Sequence, residues 1–448
     1  MTEQRSADLP DATSLQGAGS RRAIVLVGNP AAPYSRSLRV ARALVDEGYR
    51  VEIAAVAVDG QPERADDGAI SWHRYRPSGF FARMAATYRT PVAGHRDRPR
   101  RRTASPARVA RAIVDRFWLW VFWPHTVRGW WHTLARELPS ADLYHACGSL
   151  TIAAALDGRT RDRHAGRRSR VIYDSVDIVM ESNNVLGFPA PIRRWLAWRE
   201  GRWARASDAI TTVNDPFADR LVTRLRLAAR PIVVPNYPEP STLPSAPPDL
   251  IRRALGLPAS TRIVLFQGRL GPNLGLDESA EAILKVPDAA LVLLGFGRWF
   301  ELCRARDADP RFAGRHFTLP AVEPDELIAW TASADAALIP LPAISFNQRY
   351  TTPNKFLEAV AAGTPIVLGP GLPTMEALLR KDDLGRVARS LEADDLAAAI
   401  REVLDRPAGE LAADRRRIAA IGAERFSWPI AARAYRELVR RTTGSPRS

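Results

Sequence analysis

The run RRAIVLVGNP constrains this chain more than any other stretch. Ala23 to Val27 are continuously apolar and are closed by Gly28. A strand that is hydrophobic on both faces must be covered on both faces, the situation of a central strand in a parallel sheet flanked by helices. After the loop GNPAAPYS comes SLRVARALVDEG, with Leu38, Ala41, Leu44 and Val45 at helical spacing and Gly48 at its end. YRVEIAAVAV then reads as a second strand. These elements form a βαβ unit, and Gly28 occupies the turn at the carboxyl end of its first strand, the usual ligand side of such sheets.

The alternation continues. ADLYHACG, RVIYDSVD, DAITTVN and RPIVVPN read as strands, with RRWLAWREGRWARA and DPFADRLVTRLR as helices between them. The Pro/Ser-rich YPEPSTLPSAPPD interrupts the pattern as a linker. A second series follows: TRIVLFQGRL, AALVLLGFG, RHFTLP, AALIPL and TPIVLG as strands, with ESAEAILKVP, PDELIAWTAS, FLEAVAAG and LAAAIREVL as helices. The expected class is therefore α/β, with two Rossmann-like doubly wound domains facing each other across a cleft. The expected boundaries are a disordered tail over 1–20, a first domain over 21–240, a linker over 241–258 and a second domain over 259–425.

The formal net charge of +15 is concentrated in the first domain, because residues 257–430 carry 20 basic and 23 acidic side chains. No nucleic-acid-binding motif accompanies the arginines, so nucleic acid is not the expected partner. Two cysteines, Cys147 and Cys303, supply neither a disulfide framework nor a zinc cluster. The polar first twenty residues lack the apolar core of a signal peptide, and no run approaches the roughly 20 apolar residues of a membrane span. A cytoplasmic location is expected. Within the basic domain, FWLWVFWPHTVRGWW holds five of the twelve tryptophans and follows ten arginines and two aspartates in residues 81–116. Core packing accounts for Phe117, Trp120 and Val121. The Arg/Trp-rich 96–131 region as a whole also suits peripheral contact with an anionic membrane.

Chemistry concentrates in the second half. QGRL sets Arg269 just after a strand, and GFG sets Gly295 and Gly297 just after another, although a plain tight turn accounts for Gly-x-Gly equally well. In FNQRYTTPNKFLEAVAAGTPIV, Pro353 opens a helix that carries Lys355 and Glu358 one turn apart, and Gly363 closes it. A helix N-terminus and a lysine suit a diphosphate. A carboxylate one turn later suits the two hydroxyls of a ribose. Lys355 is one of three lysines against 61 arginines, so an arginine-biased chain retains a lysine here. The alternative is an ordinary surface Lys–Glu pair.

QGRL, LVLLGFG and PNKFLEAVAAGTPIV, in that order and spacing, resemble the nucleotide-sugar half of the family 4 (group 1) glycosyltransferases. The resemblance implies the GT-B fold, retention of anomeric configuration and a hexosyltransferase-type reaction. It implies Arg269 and Lys355 on the donor diphosphate, Glu358 on the ribose with Asn354 beside it, and the loop around Ala321 and Val322 on the base. Gly28, Gly295 and Gly297 would line the donor site. RFSWPIAARAYRELVRR resembles the closing helix, over 426–442, that returns to the first domain. The implied partners are a nucleotide-diphosphate sugar and an acceptor glycan or lipid-linked acceptor. No metal or other cofactor is implied, and no acidic cluster in the second half suggests one.

The first half departs further from the family pattern. DLYHACG keeps His145, placed at a strand end facing the cleft, where it reads as a catalytic polar contact or as a structural histidine. YDSVDI has Val176 and Asp177 where the family has His and Glu. Tyr350 stands where many members have a second glutamate, and Leu274 where they have a second basic residue. Two other readings remain: a GT-B-like sugar-nucleotide epimerase using Asp174 and Asp177, and a non-enzymatic basic binding protein.

Overall fold

A computed structural model describes residues 21–29, 35–58, 60–79, 127–182, 189–240, 248–312 and 314–444. The predicted 1–20 tail, and residues 96–126 of the Arg/Trp-rich region, lie outside the described residues.

Two sheets form the frame. The first holds β1 (Arg21–Val27), β2 (Tyr49–Val56), β3 (Arg64–Asp67), β4 (Ile70–Tyr75), β5 (Leu143–Cys147), β6 (Arg170–Ser175), β7 (Ala209–Thr212) and β8 (Ile232–Val233). Their order is β3-β4-β2-β1-β5-β6-β7-β8, parallel except for β3. The second holds β9 (Arg262–Arg269), β10 (Ala289–Phe296), β11 (His316–Pro320), β12 (Ala336–Ile339), β13 (Ile366–Leu368) and β14 (Gly385–Val387), all parallel in the order β11-β10-β9-β12-β13-β14. In both, the strand order reverses beside the first strand of the domain, which opens a crevice at the carboxyl ends.

The continuous apolar runs behave as their composition demands. Ala23, Val25 and Val27 of β1 enter one core cluster, and Ile24 and Leu26 enter the cluster on the opposite face. In the second domain β9 divides in the same way, with Val264 and Phe266 on one side and Ile263 and Leu265 on the other. The exposed antiparallel β3 was not foreseen, because RADD has no apolar face to announce a strand; it pairs on β4 at the sheet edge. The predicted linker is also shorter than expected. Leu250–Leu255 is helical, and Ile251 is buried in the second domain's core, so this part of 241–258 belongs to that domain.

The closing helix spans Trp428–Thr443 and completes the first domain. Trp428, Ala431, Ala432, Tyr435, Leu438 and Val439 pack beside Val40, Leu44 and β1. Arg436 pairs with Asp46 at 2.9 Å and Arg440 with Glu47 at 2.8 Å, tying the helix to the end of the helix Ser35–Asp46.

Deep in the same domain, Arg36 donates to both oxygens of Asp174 at 2.7 and 2.8 Å, and to the carbonyl of Val234 at 3.0 Å. Thr211 donates to the same carboxylate at 2.8 Å. Burial alone would raise the Asp174 pKa, but the Arg36 guanidinium, aided by His145, overrides it and holds the carboxyl well below the usual range. A carboxyl depressed in the folded state stabilises above its unfolded value of about 4 and loses that contribution as pH falls toward the folded value. Asp174→Asn leaves Arg36 buried without its counter-charge and should cost about 3–5 kcal/mol in urea unfolding near neutral pH. The gap between variant and parent should narrow in acid.

Candidate functional site

The carboxyl ends of β9, β10 and β11 and the helix Asn354–Ala361 converge on the edge of the second domain that faces the first. The ammonium of Lys355 lies 3.6 Å from the centroid of the Phe266 ring, and its Cε passes 3.8 Å from where a Cβ on Gly268 would stand. Lys355 keeps some contact with solvent, but the surrounding protein desolvates its charged form and lowers its pKa to about 7. Glu358 attracts it in the opposite sense, and Arg269 adds to the lowering. A cation held this way is poorly compensated and suits an incoming anion.

Glu358 accepts a hydrogen bond of 2.6 Å from the Gln267 side chain, which in turn accepts one of 2.7 Å from Thr331. Desolvation raises the Glu358 pKa, opposed by the Gln267 bond and by the charges of Arg39 and Lys355. Gln267 holds one carboxylate oxygen and leaves the other for a ligand. Arg269 is exposed at the tip of β9. Its Cγ packs on Gly297, whose φ of +131° and close approach to the Leu270 carbonyl exclude a side chain. Gly295 is equally constrained, since a Cβ there would overlap the Gly268 carbonyl oxygen. Ala321 and Val322 follow β11, with Ala321 exposed and Val322 packed on the domain's core. Phe296, register partner of Arg269, is 52% exposed at the tip of β10.

The first domain contributes from the opposite wall. Arg39 donates to the Asn236 side chain at 2.9 Å and to the Tyr237 carbonyl at 2.6 Å, within electrostatic reach of Glu358. Desolvation brings its pKa down to about 10. Asn236 donates to the Asn354 side chain at 2.7 Å, bridging the two domains. Gly28 ends β1 with its Cα hydrogens turned to Leu150, which a Cβ would meet at 3.3 Å. Gln267, Arg39, Asn236 and Phe296 were not singled out in the sequence, because no local pattern distinguishes them from other residues of their types.

His145 does not face the cleft. It is fully buried, with Nδ1 3.0 Å from the Tyr435 hydroxyl and Nε2 3.5 Å from Asp174. The sequence set it at a strand end, but β5 extends two residues further, to Cys147, and the closing helix covers it. His145 is therefore a structural histidine and not a catalytic residue of the cleft. Asp174 is likewise locked inside the fold. Asp177 reaches the surface beyond β6, with desolvation raising its carboxyl to about 6. Among the described residues, His145, Cys147 and Asp174 gather ligand atoms within 4.8 Å, but both Asp174 oxygens already receive Arg36. The carboxylate of that group is thus already paired with a fixed positive charge.

The departures at Tyr350 and Leu274 have structural roles. Tyr350 stacks on Phe346 at 4.6 Å and packs against the first domain's core, and its carbonyl accepts from Asn214 at 2.8 Å. Leu274 packs against two core clusters of the second domain. Neither position supplies a charge to the cleft.

The lowered Lys355 pKa predicts pH-dependent anion binding. Below about 7 the lysine is charged before the ligand arrives; above it, binding must take up a proton. Affinity for a diphosphate diester, whose own charge is constant near neutrality, should fall by about tenfold per pH unit above 7. Calorimetry on the parent and on Lys355→Arg, which should show a flat profile, checks this.

Comparison with known proteins points to the same fold. Residues 261–406 match the family model for glycosyl transferases group 1. The chain is 31% identical over 199 residues to a D-inositol 3-phosphate glycosyltransferase of Corynebacterium aurimucosum, covering 40% of this chain and 43% of that protein. It is 30% identical over 238 residues to the protein of the same name from Acidothermus cellulolyticus, covering 47% and 50%. The matched regions thus span about half the length of the curated relatives or less. Solved structures align over nearly all of the chain at low identity. Sucrose-phosphate synthase from Thermosynechococcus elongatus has a TM-score of 0.65 at 17% identity, covering 95% of this chain and 100% of that one. Anabaena HepE in complex with UDP-glucose has a TM-score of 0.59 at 15% identity, covering 94% and 99%. The chain therefore has the GT-B fold, and within it residues 261–406 are similar to the group 1 glycosyl transferases.

Proposed function

We propose that this protein transfers a glycosyl group from a nucleoside-diphosphate sugar to an acceptor hydroxyl with retention of anomeric configuration, as a family 4 hexosyltransferase. The observation that carries the reading is the pair Lys355 and Glu358, one helical turn apart at the mouth of the second domain, with Gln267 fixing the carboxylate. Glu358 would accept the ribose hydroxyls, Lys355 and Arg269 would face the diphosphate, and the Ala321–Val322 loop would hold the base, beside the exposed ring of Phe296.

In the reaction the bond from the anomeric carbon to the diphosphate oxygen breaks as the acceptor oxygen bonds to that carbon on the same face. The departing diphosphate gains charge, and Lys355 and Arg269 stabilise it more in the transition state than in the ground state. A leaving phosphate oxygen takes the acceptor proton. No protein base and no metal is needed, since the two cationic side chains do the neutralising.

The acceptor arrives from the first domain. A lipid-linked or cell-envelope polysaccharide acceptor is the reading favoured by that domain's basic, tryptophan-rich surface, with the protein working at the inner face of the membrane. Among the described residues no helix is long and apolar enough to cross one. The names of the inositol-phosphate relatives favour a second acceptor, a phosphorylated cyclitol or sugar. The epimerase reading loses one of its two carboxylates, because Asp174 is committed to Arg36.

Proton NMR of a panel of nucleotide sugars incubated with the protein separates transfer from epimerisation. Slow release of the free nucleoside diphosphate supports transfer; an altered sugar on an intact nucleotide supports epimerisation. Glu358→Ala should weaken nucleotide-sugar binding on the order of 10–100-fold while leaving the fold intact by circular dichroism. Phe296→Ala should weaken it about tenfold while leaving inorganic pyrophosphate affinity intact. Unchanged nucleotide affinity in Glu358→Ala would overturn the assignment of the donor site.

A further inference from the structure

The helix Ala190–Ala206, APIRRWLAWREGRWARA, has an inner face of Glu200, Gly201 and Ala204 against the first domain. Its outer face is unusual. Trp195 is 51% exposed, Trp198 54% and Ile192 38%, and Arg194, Arg202 and Arg205 are exposed along the same stripe. The helix carries five arginines and a single acid, Glu200, which is buried and accepts 2.7 Å from the Tyr173 hydroxyl. The outer surface is therefore cationic and aromatic with no carboxylate of its own. Its arginines are stacked on its tryptophans: Arg199 lies 5.1 Å from the Trp195 ring and 4.8 Å from Trp203, and Arg202 lies 5.2 Å from Trp198.

The helix also has a direction. The chain enters it after the carboxyl end of β6 and leaves it toward the amino end of β7, and the two strands are parallel. Ile192 and Trp195 are thus at its cleft-side end. Trp203 meets Trp131 edge-on at 5.5 Å, which joins this surface to the last part of the Arg/Trp-rich region. There the structure corrects the sequence reading: Trp130 is buried at 3% and Trp131 donates its indole N–H to the Leu150 carbonyl, so neither is a free docking group.

We propose that the outer face of Ala190–Ala206 docks on an anionic lipid bilayer and thereby sets the cleft mouth toward that surface. Tryptophan is favoured at the headgroup boundary, and arginine beside it adds attraction to anionic lipid. A second copy of the chain fits less well, because a two-fold contact would set these arginines against themselves. Single-stranded nucleic acid would stack its bases on tryptophan faces, and here the helix's own guanidiniums cover those faces. The inference rests on the lipid-linked acceptor reading, but its test does not depend on transfer.

The test is co-sedimentation of the full chain with vesicles of mixed phosphatidylglycerol and phosphatidylcholine. The protein should pellet with mixed vesicles, be released by high salt and ignore pure phosphatidylcholine. Arg194→Gln with Arg202→Gln should lower the partition on the order of 25-fold, from about fivefold for each arginine. Trp195→Ala with Trp198→Ala should lower it severalfold, and both variants should keep nucleotide-sugar affinity, which shows that they fold. Unchanged partition in both variants, equal binding to neutral vesicles, or displacement from vesicles by single-stranded RNA overturns the proposal. So does a dimer that only Trp195→Ala with Trp198→Ala dissociates. Vesicle binding without any nucleotide-sugar binding would uphold docking and overturn the transferase reading instead.

Discussion

The ion pair between Arg36 and Asp174 is the interaction on which the first domain's geometry depends. Neither group touches solvent, so each charge is tolerable only because the other is in place. Through it the helix after β1 is tied to the end of β6, and Thr211 and Val234 extend the tie to β7 and to the residue after β8. His145 joins the same cluster from β5, and Tyr435 joins it from the closing helix. Segments far apart in the chain thus meet at one charge pair. Arg39, one helical turn beyond Arg36, is thereby aimed at Asn236 and Tyr237 and into the field of Glu358.

The second domain is organised around a different tension. Lys355 and Glu358 are both partly shielded from water, and the surrounding protein disfavours the charged form of each. Gln267 and the ring of Phe266 compensate them in part. Such a site is held in place by the fold before any ligand arrives, so little reorganisation is required when negative charge develops there. The two domains meet through polar contacts, Asn236 with Asn354 and Asn214 with the Tyr350 carbonyl, together with Phe217 beside Phe346.

Much of this was legible along the chain. Runs such as AIVLV and IVLF are apolar at every position, and only a strand covered on both faces accommodates that. Local strand–helix alternation then implied the two doubly wound sheets, and the Pro353–Gly363 segment announced its own helix with Lys355 and Glu358 on it. The misses share a physical cause. His145 was read from its neighbours in sequence, whereas its burial depends on Tyr435, 290 residues later. Gln267 sits in a strand as an ordinary polar residue until Thr331 and Glu358 fold against it. Tyr350 and Leu274 were legible only as departures from the family pattern, and the apolar contacts that occupy those positions come from distant segments.

The sequence by itself determined the class of fold and the residue types available at the cleft edge of the second domain, because hydrophobic period and helix-start chemistry are local properties. Tertiary structure alone decided which of those residues face the cleft, which are spent inside the protein and which tryptophans remain outside. Burial and charge pairing are set by segments that meet only after folding. The same arginine-rich composition therefore yields a locked ion pair at Arg36, a cleft residue at Arg39 and an exposed stripe at Arg194 and Arg202.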